Sequence, residues 1–214
     1  MGIPVLVLGE SGSGKSASLR NFGQGEITVF NVAGKPLPFR TKPGSVDIVK
    51  TSDYRVIGET LKAGGKKCYV IDDSQYLLCF ELFNRANETG YAKFTDIAVR
   101  FRNMIGYIVN GMPDDVIVYL LHHTEIGETG RIKAKTVGKM LDNQLTVEGL
   151  FAIVLLCKTD GTSHKFITQS DGFTPAKSPM EMFPLEIDND LKMVDESIRE
   201  YYGMHGGEKG AESA

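Results

Sequence analysis

The run Gly9-Glu10-Ser11-Gly12-Ser13-Gly14-Lys15-Ser16 limits what this chain can fold into more than any other feature. It satisfies the pattern G-x-x-x-x-G-K-[ST] and directly follows an apolar stretch, residues 3–8, that reads as a strand. The glycines let successive backbone N–H groups turn inward and line a concavity for an anion. Residues 15–22 are read as a helix whose positive end points at the same place. Lys15 can reach the outer phosphates of a nucleotide as a point charge, and the Ser16 hydroxyl can ligate Mg²⁺. The predicted cradle is Gly9, Glu10, Ser11, Gly12, Ser13, Gly14, Lys15, Ser16 and Ala17.

Strand-like and helix-like stretches alternate beyond the loop. Strands are predicted at residues 27–32, 68–71, 116–121 and 150–157. Helices are predicted at residues 54–63, where Val56, Ile57 and Leu61 share a side, and around Phe94, Ile97, Phe101, Ile105 and Ile108, which recur at steps of three and four. Gly111 and Pro113 should stop the second of these. Leu191, Val194, Ile198 and Tyr201 mark a last amphipathic helix. Asp160-Gly161 between two apolar runs signals a hairpin. The predicted fold is therefore α/β, a mostly parallel sheet flanked by helices with an antiparallel edge hairpin. With 214 residues, 42% of them hydrophobic, the chain suits one domain over residues 1–202 and a flexible glycine-rich tail over 203–214. The longest apolar runs fall far short of the ~20 residues that cross a bilayer, so no membrane partner is expected. Cys68, Cys79 and Cys157 are odd in number and widely spaced, which reads as reduced thiols in a cytoplasmic protein.

An acid at the end of a neighbouring strand should complete the loop's site, and Asp72-Asp73 supplies it. Asp72 would hold Mg²⁺. Asp73 would orient or deprotonate an attacking water, or cap the following helix. The strand at 116–121 ends in His122-His123. Side chains alternate along a strand, so one of the two faces the site, and the reading favours His122. The next segment, residues 124–139, carries Arg131, Lys133, Lys135 and Lys139 against Glu125 and Glu128, in a chain of net charge −3. It reads as a loop that follows a nucleic-acid backbone or as a solvated hairpin, and it has no aromatic residue for base stacking. Lys177 could project to the terminal phosphate of a neighbouring subunit, or be a surface lysine.

A GTPase would carry an N-K-x-D base-reading motif, and Cys157-Lys158-Thr159-Asp160 lacks its asparagine. A nucleoside or nucleotide kinase would need an arginine-rich lid, and the segment after His123 holds one arginine, Arg131.

Taken in order, the loop, Val70-Ile71-Asp72-Asp73, the strand ending at His122, Val137-Gly138-Lys139-Met140-Leu141-Asp142, the hairpin and Ala176-Lys177-Ser178 resemble the short RecA-like P-loop ATPases encoded by phages. The resemblance covers residues 3 to about 183. It implies a RecA-like core that binds and hydrolyses ATP with Mg²⁺. It also implies assembly of identical subunits as a ring or filament, and action on single-stranded DNA in recombination or annealing, in the host-cell cytoplasm. RecA itself places a catalytic glutamate after its second strand. Residues 30–35 hold no acid here, which leaves Asp73 or Glu59 as the general base. The alternatives are a small nucleoside or nucleotide kinase and a nucleotide-switched DNA-binding scaffold with little turnover.

Overall fold

In chain order the strands are β1 (Ile3–Gly9), β2 (Ile27–Asn31), β3 (Asp47–Lys50), β4 (Cys68–Asp72), β5 (Ile117–Ile126), β6 (Ile132–Ala134), β7 (Ile153–Thr159), β8 (His164–Ile167) and β9 (Glu186–Asp188). The α-helices are α1 (Tyr54–Ala63), α2 (Gln75–Asn84), α3 (Ala92–Gly111) and α4 (Leu191–Tyr201). The structure, a computed structural model, describes residues 1–41, 46–138 and 141–204, so most of the predicted tail and Lys139 lie outside the described residues.

The fold is α/β with a mostly parallel mixed sheet. Its spatial order is β3-β2-β4-β5-β1-β7-β8-β9, with β6 paired to β5. The strands from β3 to β7 along this path run parallel, whereas β8, β9 and β6 join antiparallel. β1 and β4 are apolar over almost their whole length because both faces are covered. Leu6 and Leu8 enter a core shared with Phe101, Ile105 and Ile108 of α3. Val5 and Val7 enter a second core, on the opposite face, shared with Leu19, Val194 and Ile198. Each such fully buried side chain contributes about 1.5–3 kcal/mol. The tip of β5 stands between the tips of β1 and β4, which sets the layout of the site.

Several elements differ from expectation. Residues 15–22 do not form an α-helix; one 3₁₀ turn, Ser16–Leu19, follows the glycine-rich loop. The Ser18 hydroxyl donates to the Lys15 carbonyl at 2.5 Å, occupying an acceptor that a continuing helix would use. Gly23 and Gly25 follow within a few residues and disfavour helix further. β5 continues through the histidine pair to Ile126, beyond the predicted end at 121, and the basic segment folds back on it as β6, the hairpin that is one of its two readings. The short strands β3 and β9 form the two ends of the sheet and had no clear alternation in sequence. α1 and the stop of α3 at Gly111 match their sequence signals. The Asp160-Gly161 hairpin joins β7 and β8 as expected. Among the described residues no helix is long and apolar enough to cross a membrane.

Candidate functional site

The glycine-rich loop leaves β1 with Gly12 and Gly14 at φ 81° and 100°, backbone that other residues adopt only with strain. Gly14 also packs closely, since a Cβ there would lie 2.9 Å from the His164 ring. The loop is braced from outside the motif. The Cys157 thiol, which burial pushes up to about 11, stays protonated and donates to the Ser13 carbonyl at 2.7 Å. His164 Nδ1 meets the same carbonyl at 2.9 Å. Lys15 is 6% exposed, and its ammonium donates to the carbonyls of Gly9 and Glu10 at 2.8 Å each. Burial lowers its pKa, and the nearby carboxylates of Asp73 and Asp72 oppose that shift.

The loop and β4 meet through one contact. Ser16 Oγ donates to Asp72 Oδ1 at 2.8 Å, bringing together residues 56 positions apart. Burial raises the Asp72 pKa, and the Ser16 hydrogen bond partly offsets it. A hydroxyl and a carboxylate are hard oxygen donors. They suit Mg²⁺, which usually keeps waters and takes other ligands from phosphate. Among the described residues no cluster of three His, Cys, Asp or Glu side chains could hold a metal on protein groups alone. As a pair, the Ser16 hydroxyl and the Asp72 carboxylate fit a Mg²⁺ that takes its remaining ligands from outside the chain.

Asp73 turns out of the strand with φ 59°, a left-handed conformation that aspartate tolerates better than most residues. Its Oδ2 accepts from Lys35 Nζ at 2.8 Å and its Oδ1 from His123 Nε2 at 3.0 Å. Burial works against its charge, but these two hydrogen bonds outweigh it and hold the carboxyl at about 2. Tyr76, in the first turn of α2, backs both partners: its ring meets His123 edge-on at 5.7 Å and lies under Lys35 Nζ at 5.1 Å.

The histidine at the site is His123, not His122. His122 points to the other face of the sheet, fully buried against Phe101. Burial lowers its pKa to about 4, so it is neutral near pH 7. Its Nε2–H donates to the Lys135 carbonyl at 2.8 Å, and its Nδ1 takes the Ser74 hydroxyl at 2.9 Å. Alternation along β5 put one histidine on each face, as expected. The choice depended on which face the segment after Lys15 packs against, and Leu19 lies in the same core as Leu121.

Lys15, Ser16, Lys35, Asp72, Asp73, His123 and His164 line a cleft of about 400 Å³, together with Ser11, Gly12, Gly14, Ala17, Pro36 and Pro38; Gly9, Glu10 and Ser13 of the predicted cradle are not among its lining residues. That volume lies within the usual range of small-molecule sites. Glu59 is on the exposed side of α1 and does not line the cleft, so of the two candidate bases only Asp73 is there. Lys177 is not brought to the cleft of its own chain. Its backbone forms an antiparallel bridge with Val154, which pairs with Leu6 below the loop.

Arg131 and Lys135 are exposed on the β5–β6 hairpin, and Lys133 pairs with Glu125 at 3.0 Å. An exposed aromatic side chain from elsewhere in the chain stands beside that segment. The Phe173 carbonyl accepts from Ile132 N at 2.9 Å, and Phe173 is 64% exposed beside Arg131 in a pocket of about 550 Å³. Two further residues at the cleft, Lys35 and His164, were also missed. Neither belongs to a motif, and only the folded chain brings them to the loop. No family model matches this chain, and no curated protein matches it in sequence.

Proposed function

We propose that this chain is a P-loop nucleotide-binding protein with a RecA-like core that takes Mg·ATP into the cleft and hydrolyses its terminal phosphate. The observation that carries the reading is the Ser16–Asp72 hydrogen bond beside the Lys15 ammonium. It joins a phosphate-cradling loop to a metal-competent acid. In the resting site Lys15 sits on the Gly9 and Glu10 carbonyls, and a phosphate offers it stronger, charged acceptors. The loop amides and Lys15 then stabilise charge that develops on the phosphoryl oxygens. Mg²⁺ held by Ser16 and Asp72 would add positive charge to the same oxygens. Asp73, held ionised, accepts from His123 Nε2 and fixes the ring in the cleft, where the two groups would orient the attacking water.

The same strand favours coupling to single-stranded DNA. The Lys135 N–H donates to the His123 carbonyl at 2.8 Å, while the Lys135 carbonyl takes the His122 ring. The basic hairpin is thus tied through one residue to both histidines, one of which touches Asp73. The resemblance to phage RecA-like ATPases extends the reading to recombination or annealing by a ring or filament of identical subunits.

The direct test is phosphate release from Mg·ATP with and without single-stranded DNA, with particle size followed by light scattering. Free phosphate, released faster with DNA, supports the reading. Phosphate transferred to a nucleoside or nucleotide instead would assign a kinase, and tight nucleotide binding without turnover would assign a scaffold. For the hairpin, the double variant Arg131→Ala, Lys135→Ala is expected to lower the slope of log affinity against log salt by about 1.4, at about 0.7 per lost phosphate contact on a single strand. Phe173→Ala should weaken binding by about 1–3 kcal/mol with the slope unchanged, as loss of one stacked base does. An unchanged affinity in both variants would remove the hairpin from the DNA interface.

A further inference from the structure

Among the described residues lining the cleft, the lysines and arginines number two, Lys15 and Lys35. Lys15 belongs to the phosphate loop. Lys35 arrives from the segment after β2, where the Asn31 side chain donates to the Lys35 carbonyl at 2.5 Å and anchors its backbone to the strand end. Pro36 follows immediately and restricts the backbone at the cleft wall. The backbone is therefore fixed while the four-carbon side chain, 59% exposed, stays free to move its ammonium.

The position of that ammonium is specific. It rests on Asp73 Oδ2 at 2.8 Å, next in sequence to the Asp72 that holds the Ser16 hydroxyl. If the Ser16–Asp72 contact marks where the outer phosphates and Mg²⁺ sit, Lys35, on the adjacent Asp73, would stand at the phosphate end of a bound triphosphate and not at its nucleoside end. On this placement a diphosphate would end short of Lys35 and would leave it on Asp73. A terminal phosphate offers Lys35 a more highly charged acceptor than one carboxylate. Asp73 can release it without being left unpaired, because His123 Nε2 remains on its other oxygen at 3.0 Å.

We propose that Lys35 reads the terminal phosphate from within the same chain, moving its ammonium from Asp73 to that phosphate and so distinguishing a nucleoside triphosphate from a diphosphate. This rests on the nucleotide reading of the cleft. It assigns in cis the role that a lysine from a neighbouring subunit, Lys177, would have had in trans.

The experiment compares Lys35→Met and Lys35→Arg with the unmodified chain by titration calorimetry, using Mg·ADP and the non-hydrolysable β,γ-imido analogue of Mg·ATP. Lys35→Met should weaken the triphosphate analogue roughly 10- to 100-fold, the size of one charge-assisted hydrogen bond, and change ADP less than about twofold. Lys35→Arg should restore most of the preference. Because Lys35 is largely solvated, both variants should retain the fold, which thermal unfolding checks. Equal weakening of both nucleotides, or of neither, would overturn the role of Lys35 and leave the nucleotide site standing. Absence of binding by the unmodified chain to either nucleotide would overturn the site itself and Lys35's role with it.

Discussion

Lys15→Met is expected to lower Mg·ATP hydrolysis by about 10²–10³-fold, the usual loss when one preorganised donor to developing charge is removed. Methionine keeps the apolar stem and removes the ammonium. In the resting protein that ammonium is 6% exposed and satisfied by two neutral carbonyls, Gly9 and Glu10. Burial already disfavours its charge, so the resting site carries a desolvation cost that a phosphate would offset. The variant should therefore fold with unchanged or raised stability while losing nucleotide binding, the opposite sign to a structural lysine. Phosphate release, nucleotide titration and a thermal melt together test this. Unchanged turnover would end the nucleotide reading, and an unfolded variant would show that Lys15 is structural.

The second large effect is acid sensitivity from His122. Its folded pKa, about 4, lies below the ordinary 6.5 because the ring is fully buried. The unfolded chain therefore takes up this proton first as pH falls. The stabilisation is complete above about pH 6.5 and drains away between 6.5 and 4, by about 3 kcal/mol in total. Asp72 has the opposite sign: its raised pKa makes the folded chain take up its proton more readily as pH falls. Asp73, held at about 2, keeps its contribution throughout this window and loses it only below the ordinary carboxylate value of 3.8. Comparing His122→Gln with the unmodified chain cancels the carboxylate terms. Urea unfolding at pH 7 and pH 4.5 should show the variant losing markedly less stability on acidification. Parallel losses in both proteins would show that His122 is not what makes the fold sensitive to acid.

Much of the fold was legible because its signals are local. Continuous apolar runs marked β1, β4 and β7, Val56, Ile57 and Leu61 on one side marked α1, and Gly111 with Pro113 marked the end of α3. The helix expected after Lys15 failed because a side chain, Ser18, takes a backbone acceptor, and periodicity alone does not reveal that competition. In the cleft, Lys15, Ser16 and Asp72 were readable as neighbours because the glycine-rich run and an acid at the end of an adjoining strand form a sequence pattern. His123 was half-readable. The strand period named the pair, but the choice between faces required knowing where Leu19 packs. Lys35, His164 and Phe173 carried no pattern, since each arrives from a segment far along the chain and is brought to its place by sheet order and hydrogen bonds.

The bracing of the glycine-rich loop has a kinetic consequence. With the Ser13 carbonyl held by both the Cys157 thiol and the His164 ring, the loop is already shaped before a ligand arrives. Little conformational freedom remains to be lost on capture. Nucleotide association should then approach the encounter rate rather than wait for the loop to close, and differences in affinity among variants should appear mainly as changes in residence time.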